Sequence, residues 1–372
     1  MWVHAQTPDE AGAAPAVARE LSRLRGEPVH TLVTTAANEP AIPSLTERAI
    51  VQLAPGDTQG SVNRFLNHWH PDLGLVLGLP ERPNLISTAR DRGIPLYLAA
   101  AERGTIGLRR RLSYIPASLL HCFRTCLAAS AADAEVLDRH LEDAVRVEVS
   151  GPLCDTTHPP GCLEAEHETL TRLLGGRPVW LAASVTDSEI PAIEHAHRKA
   201  FRAAHRLLLI LVPRDPDTGP AVTEMLEELG WQVARRSAEQ EPDRDIQIYV
   251  ADTADELGLW YRIAPMSFIG GTLDKSAVPA DPYDAAALGS VALHGPHTGE
   301  APMRFRRLTE AGASVGIASA EALGSELQTL LAPDKAAAHA EAGWRVTTES
   351  AHVVARLAEL MDIALDEQEA AR

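Results

Sequence analysis

Short apolar runs alternate with segments whose apolar positions recur every three or four residues, and the alternation persists along almost the whole chain. Runs bounded by polar or turn residues fit strands buried on both faces, and the longer period between them fits covering helices. In the first half this predicts strands at 1–4, 30–35, 50–53, 73–79, 95–99 and 145–149. Helices fall at 11–25, where Ala14, Val17, Leu21 and Leu24 share a face before Gly26, at 61–68, and in the segment through Arg92. Residues 151–176 break the rhythm with Pro, Gly, Thr and His around one helix at 164–174, as an interdomain connection does. The alternation then restarts, with strands at 179–183, 207–212, 231–235, 246–250, 266–269, 291–294 and 314–317. Its helices lie at 189–204, 219–229, 254–262, 301–312 and 319–331, followed by a terminal helix over about 333–368.

Strands that alternate with helices form parallel sheets covered on both faces. The expected fold class is therefore α/β, with two doubly wound Rossmann-like domains at 1–155 and 156–350 and a C-terminal helix at 351–372 that crosses back to the first. A length of 372 residues suits two cores. Ligands of such folds are expected at strand carboxyl ends, in a cleft between the halves.

A formal net charge of −17 argues against nucleic acid as a partner, since such a field repels a phosphate backbone. Arg103, Arg109, Arg110 and Arg111, with Arg92 nearby, form the one obvious basic cluster, which reads as a solvated helix start or as contact with an anionic surface. Cys122, Cys126, Cys154 and Cys162 form no CxxC pair, so reduced thiols in the cytoplasm and no metal centre are expected. The opening Met1-Trp2-Val3-His4 has no signal-peptide character, and no run of 18 apolar residues follows. A cytoplasmic protein, at most peripheral at the inner face of the membrane, is the expectation.

Four loops after strands of the second half carry candidate chemistry. Ser184, Thr186 and Asp187 precede a helix, either as plain caps or as a start whose free N–H groups hold phosphate. Arg214 stands between Pro213 and Pro216, and its planar fork suits phosphate or carboxylate. Gly270, Gly271 and Thr272 end an apolar strand, as a tight turn or an anion-binding nest. Asp281 and Asp284 open a helix, where the dipole favours them and where they can also accept hydrogen bonds from ribose.

The order of these motifs is more informative than any one of them. Val212-Pro213-Arg214, Ala251-Asp252-Thr253, Phe268-Ile269-Gly270-Gly271-Thr272-Leu273, Asp281-Pro282 with Asp284, and Gly295-Pro296-His297-Thr298 resemble the donor half of a Kdo (3-deoxy-D-manno-octulosonic acid) transferase. In the first half, His4 with Glu10, Asn63-Arg64-Phe65-Leu66, Glu81-Arg82-Pro83-Asn84-Leu85, Ile94-Pro95-Leu96 and Gly151-Pro152-Leu153 follow the same family's order. The resemblance implies a GT-B fold and metal-independent, inverting transfer of Kdo from CMP-Kdo, with no cofactor, to a lipid A precursor or another lipid or glycan acceptor. It places Glu10 as the base and puts Arg214, Gly270, Gly271, Thr272, Asp281, Asp284, Ser184 and Thr186 on the nucleotide sugar. His4, Arg82, Asn84 and Arg103 fall on the acceptor side.

The chain departs from the family pattern at several points. Thr7-Pro8-Asp9-Glu10 keeps the acid of the first loop but loses its glycine, and Pro80 replaces a glutamate. An arginine gives way near Glu102, a lysine to Cys154, a His-Glu pair to Thr186-Asp187, and a Gly-Gly-His-Asn run to Val278-Pro279-Ala280-Asp281. No counterpart of the family's hydrophobic N-terminal anchor is expected before the first strand. Three readings follow: an active glycosyltransferase, an impaired paralogue that binds or regulates in envelope assembly, and an epimerase or hydrolase on the same scaffold.

Overall fold

The computed structural model describes residues 1–6, 8–35, 49–99, 108, 115–141, 145–151, 153, 159–299 and 302–371. It divides into two compact units, Met1–Thr156 with Thr348–Arg372, and Thr157–Thr347. Each is built on a seven-stranded, wholly parallel sheet.

In the first unit the strands are β1 (Trp2–Ala5), β2 (Thr31–Thr35), β3 (Ala49–Leu53), β4 (Gly74–Leu77), β5 (Leu96–Ala99), β6 (Thr125–Ala128) and β7 (Arg146–Val149). Their order in the sheet is β3-β2-β1-β4-β5-β6-β7. Alternate residues feed opposite cores, as a pleated strand requires. Trp2, Val76, Leu96, Leu98 and Cys126 pack on one side, and Val3, Leu75, Leu77, Tyr97 and Leu127 on the other. Strand β6 and the helix after it, Ala131–Leu141, are absent from the expected series, because Thr125-Cys126-Leu127-Ala128 holds a single large apolar side chain, Leu127.

The second unit comprises β8 (Val179–Val185), β9 (Leu208–Pro213), β10 (Val233–Arg235), β11 (Ile248–Val250), β12 (Met266–Ile269), β13 (Val291–His294) and β14 (Ser314–Gly316), ordered β10-β11-β9-β8-β12-β13-β14. All six residues of β9 are buried, as a central parallel strand demands. In both sheets the direction of winding reverses beside the unit's first strand, between β1 and β4 and between β8 and β12. The loops at these two switch points are where an open α/β sheet offers a ligand site.

The terminal helix expected over about 333–368 is two helices, Pro333–Thr348 and Ala351–Ala371. It breaks at Glu349 and Ser350, where the chain passes from the second unit to the first. Ser350, a residue type favoured just before a helix, stands at the break. The last helix buries Val353, Leu357, Met361 and Ala364 in the core that also holds Val17 and Leu21. Arg25 pairs with Asp362, Asp366 and Glu369 at 3.0, 3.0 and 2.6 Å, and Arg356 holds Glu148 through two bonds of 2.8 and 3.0 Å. Among the described residues no helix is long and apolar enough to cross a membrane.

Candidate functional site

At the switch point of the second unit, the last residue but one of β8 is Ser184, whose φ of 54° lies in the left-handed region. This bends the chain so that Thr186 to Glu189 lead into the helix Ile190–Ala203. No side chain caps that helix, contrary to the expectation for Ser184, Thr186 and Asp187. The carboxylate of Glu189 instead turns back to accept the Thr186 N–H at 3.0 Å and the Thr186 hydroxyl at 3.2 Å. It reaches across to the loop after β12 as well, accepting the N–H of Gly271 at 2.8 Å and of Leu273 at 2.9 Å. Glu189 is 1% exposed.

The expected anion nest at Gly270-Gly271-Thr272 is thus present in geometry but filled by an internal anion. Gly270 N–H donates to Ala183 O at 2.8 Å, and the buried Thr272 hydroxyl donates to Ile269 O and accepts from Gly295 N–H. Gly271 has a φ of +79°, and a Cβ there would lie 2.6 Å from the Arg214 Nη2 and 2.7 Å from Val278 O. The turn therefore requires glycine for two separate reasons. Arg214 follows β9, where its N–H bonds Val185 O at 2.8 Å. Its guanidinium donates to Ser184 O at 3.3 Å, lies over the Gly271 turn, and is exposed. Ser184, Gly270, Gly271 and Arg214 are thereby brought together, with Glu189 beneath them.

Asp281, expected on the nucleotide, is bonded to the scaffold in this structure. One oxygen caps the helix Pro282–Ala287 through Tyr283 N–H at 2.9 Å, and the other pairs with Arg304, which also lies over the Tyr283 ring. Asp284 is half-buried in the first turn of that helix. Burial first, and then the charges of Asp284 and Asp281, raise the Tyr261 hydroxyl. Beside the glycine turn, hydrogen bonds from Ser276 and Ser188 hold the Asp274 carboxyl down at about 2, the Ser188 bond being 2.7 Å long. Among the described residues no group of three His, Cys, Asp or Glu side chains could hold a metal ion.

In the first unit, β1 carries buried His4 toward its carboxyl end. His4 Nδ1 lies 3.2 Å from Thr34 O and 3.1 Å from Thr34 Oγ1. Thr34 O can only accept, so Nδ1 carries the proton. Burial, and next the charge of Arg82, push the imidazole down to about 4. Glu10, half-buried in the short helix Pro8–Ala11, accepts the Gln6 N–H at 2.9 Å. Its carboxylate lies over the residue that follows β4, since a Cβ on Gly78 would be 2.8 Å from Glu10 Oε1. The φ of +81° at Gly78 is a further demand for glycine there.

Arg82 and Asn84, expected on the acceptor side, bond the loop before the helix Gln59–Trp69. Arg82 donates to Pro55 O at 2.5 Å, and Asn84 Nδ2 to Asp57 O at 2.8 Å. Asp57 in turn accepts the N–H groups of Asn84 and Leu85 at the start of the helix Pro83–Asp91. These two residues brace a loop with the groups expected to meet a ligand. Arg103, with Arg109, Arg110, Arg111, Thr7, Glu102 and Cys154, lies outside the described residues.

Glu189, Gly78, Gln6 and Asp57 were not among the expected site residues. A signal for Glu189 did exist: Thr186-x-x-Glu189 has the spacing at which a glutamate reaches back to the first residue's N–H. Nothing local marks its bonds to the loop after β12.

A family model described as 3-deoxy-D-manno-octulosonic-acid transferase (kdotransferase) matches residues 1–154. The chain is 31% identical over 389 residues to the 3-deoxy-D-manno-octulosonic acid transferase of Bordetella pertussis, covering 97% of this chain and 86% of that one. It is 27% identical to the enzyme of the same name from Haemophilus influenzae, with the same coverage of both chains. Among solved structures, MurG of Acinetobacter baumannii matches with a TM-score of 0.50 and 14% identity over 96% of this chain and 99% of that one. The fold is GT-B, two Rossmann-like units in one chain.

Proposed function

Because the chain belongs to the Kdo transferase family of glycosyltransferases, we propose that it moves Kdo from a CMP-linked donor to a lipid A precursor or another envelope acceptor. The reaction inverts the anomeric centre and uses neither a metal ion nor a cofactor. Glu10 takes the proton of the acceptor hydroxyl as that oxygen forms the new bond to the anomeric carbon. The bond from that carbon to the phosphate oxygen breaks, and the electron pair leaves with CMP. Arg214 stabilises the charge that gathers on the departing phosphate.

The observation that carries this reading is the exposed Arg214 guanidinium over the Gly271 turn, at the switch point of a GT-B unit. Ser184, Thr186, Gly270 and Thr272 serve the donor by fixing that turn, and Asp281 and Asp284 by fixing the helix next to it. On the acceptor side Glu10 acts directly. His4, Arg82 and Asn84 set the shape of the surrounding loops, and Arg103 supplies positive charge for an anionic acceptor. The acceptor's lipid chains bring the protein to the inner face of the cytoplasmic membrane as a peripheral guest.

The test is release of CMP from CMP-Kdo with and without a lipid A precursor. Acceptor-dependent release with formation of a Kdo-bearing lipid is expected. CMP-Kdo left intact by protein that binds both substrates would refute the proposal.

A further inference from the structure

A Gly-Gly turn beside a helix start collects N–H groups that suit phosphate oxygens. Here those groups are already taken: Gly271, Leu273 and Thr186 donate their N–H groups to the buried carboxylate of Glu189 at 2.8, 2.9 and 3.0 Å. The carboxylate has the same sign of charge as a phosphate and cannot donate to one. On the other side of Gly271 stands the exposed guanidinium of Arg214, whose fork matches one phosphate group. A second carboxylate, Asp274, borders the turn through its bond to Ser188 at 2.7 Å. A second phosphate at this place would meet two negative charges and none of the three N–H groups that Glu189 holds.

We infer that Glu189 is a specificity-determining residue that restricts the site to sugar donors joined through a single phosphate and rejects nucleoside diphosphate sugars. It acts through the turn, as a positioning residue and as a fixed negative charge. The inference rests on the nucleotide-donor reading above.

The experiment is calorimetric titration of the full-length wild-type protein, Glu189→Gln and Glu189→Asp with CMP and with CDP, each protein first shown to be folded by its thermal transition. The wild type binds CMP at least about tenfold more tightly than CDP, the scale that like charges brought together can impose. In Glu189→Gln the gap closes to less than about threefold, and in Glu189→Asp, which keeps the charge, it persists. A folded Glu189→Gln with the wild-type ratio overturns the inference. So does a wild type that binds CDP as tightly as CMP, a result that needs no variant and decides the matter even where Glu189→Gln does not fold. Wild-type protein that binds neither nucleotide defeats the donor reading, and this inference with it.

Discussion

At the switch point of the first unit, Glu10 reaches back to the Gln6 N–H and lies over Gly78; at that of the second, Glu189 reaches back to the Thr186 N–H and lies over Gly271. Both glycines have a left-handed backbone, with φ of 81° and 79°, and both follow the strand across the reversal. The carboxylates differ in depth. Glu189 is sunk into backbone N–H groups and 1% exposed, whereas Glu10 is half-buried in a short helix. One arrangement of loop and glycine therefore serves two ends. In the second unit the acid is part of the scaffold and an exposed arginine, proposed above to meet the donor, stands beside it, while in the first the acid itself is the proposed base.

The largest expected effect is at the shallower carboxylate. Glu10→Gln keeps the shape of the side chain and removes the proposed base, so turnover is expected to fall by about 10²- to 10⁴-fold. Affinity for CMP stays within about twofold of wild type, because Glu10 belongs to the unit that lacks Arg214. Steady-state rates with a lipid A precursor, measured beside CMP titration, separate the two parameters. Equal losses in both would break the division between the units.

The glycines sharpen the same division. Alanine at either position must adopt a left-handed backbone, at a cost of about 1–3 kcal/mol. Gly271→Ala also crowds Arg214 and Val278 O, and is expected to weaken CMP binding by about tenfold. Gly78→Ala crowds Glu10 and is expected to lower kcat by about tenfold with CMP affinity unchanged. Thermal unfolding measures the shared strain, and titration with kinetics measures the divided effects.

A smaller effect concerns pH. His4 is held down at about 4 in the folded state and returns to about 6.5 when unfolded, so between these values the unfolded chain binds the extra proton. His4 therefore contributes stability that is whole above pH 6.5 and is lost as pH falls toward 4, by about 3 kcal/mol in all. His197 in the second unit is pushed down by burial to about 3 and acts in the same sense. Removing one histidine should flatten the acid limb only in part: Tm of His4→Gln is expected to fall less than that of wild type between pH 6.5 and 4.5. Identical slopes would remove His4 from the account.

Most of the fold was legible because parallel strands buried on both faces leave unbroken apolar runs such as 208–213. What escaped was short or long-range. Strand β6 holds one large apolar residue, Leu127, and the break at Glu349 and Ser350 carries neither proline nor glycine to announce it. At the site, the loops with Ser184, Arg214 and Gly270-Gly271 could be read as loops. Their occupant could not: the bond that fills the nest joins residues 82 positions apart. The loop contacts of Arg82 and Asn84 escape the sequence for the same reason, since their partners Pro55 and Asp57 lie 27 positions away.

The central claim, that the second unit binds the donor through Arg214 and the first supplies the base, is tested most directly by titrating CMP into wild type, Arg214→Ala and Glu10→Gln side by side. Loss of a charge-assisted bond worth about 1.5–3 kcal/mol should weaken binding to Arg214→Ala by about 10- to 150-fold, while Glu10→Gln binds as wild type does. Wild-type affinity in a folded Arg214→Ala would contradict it.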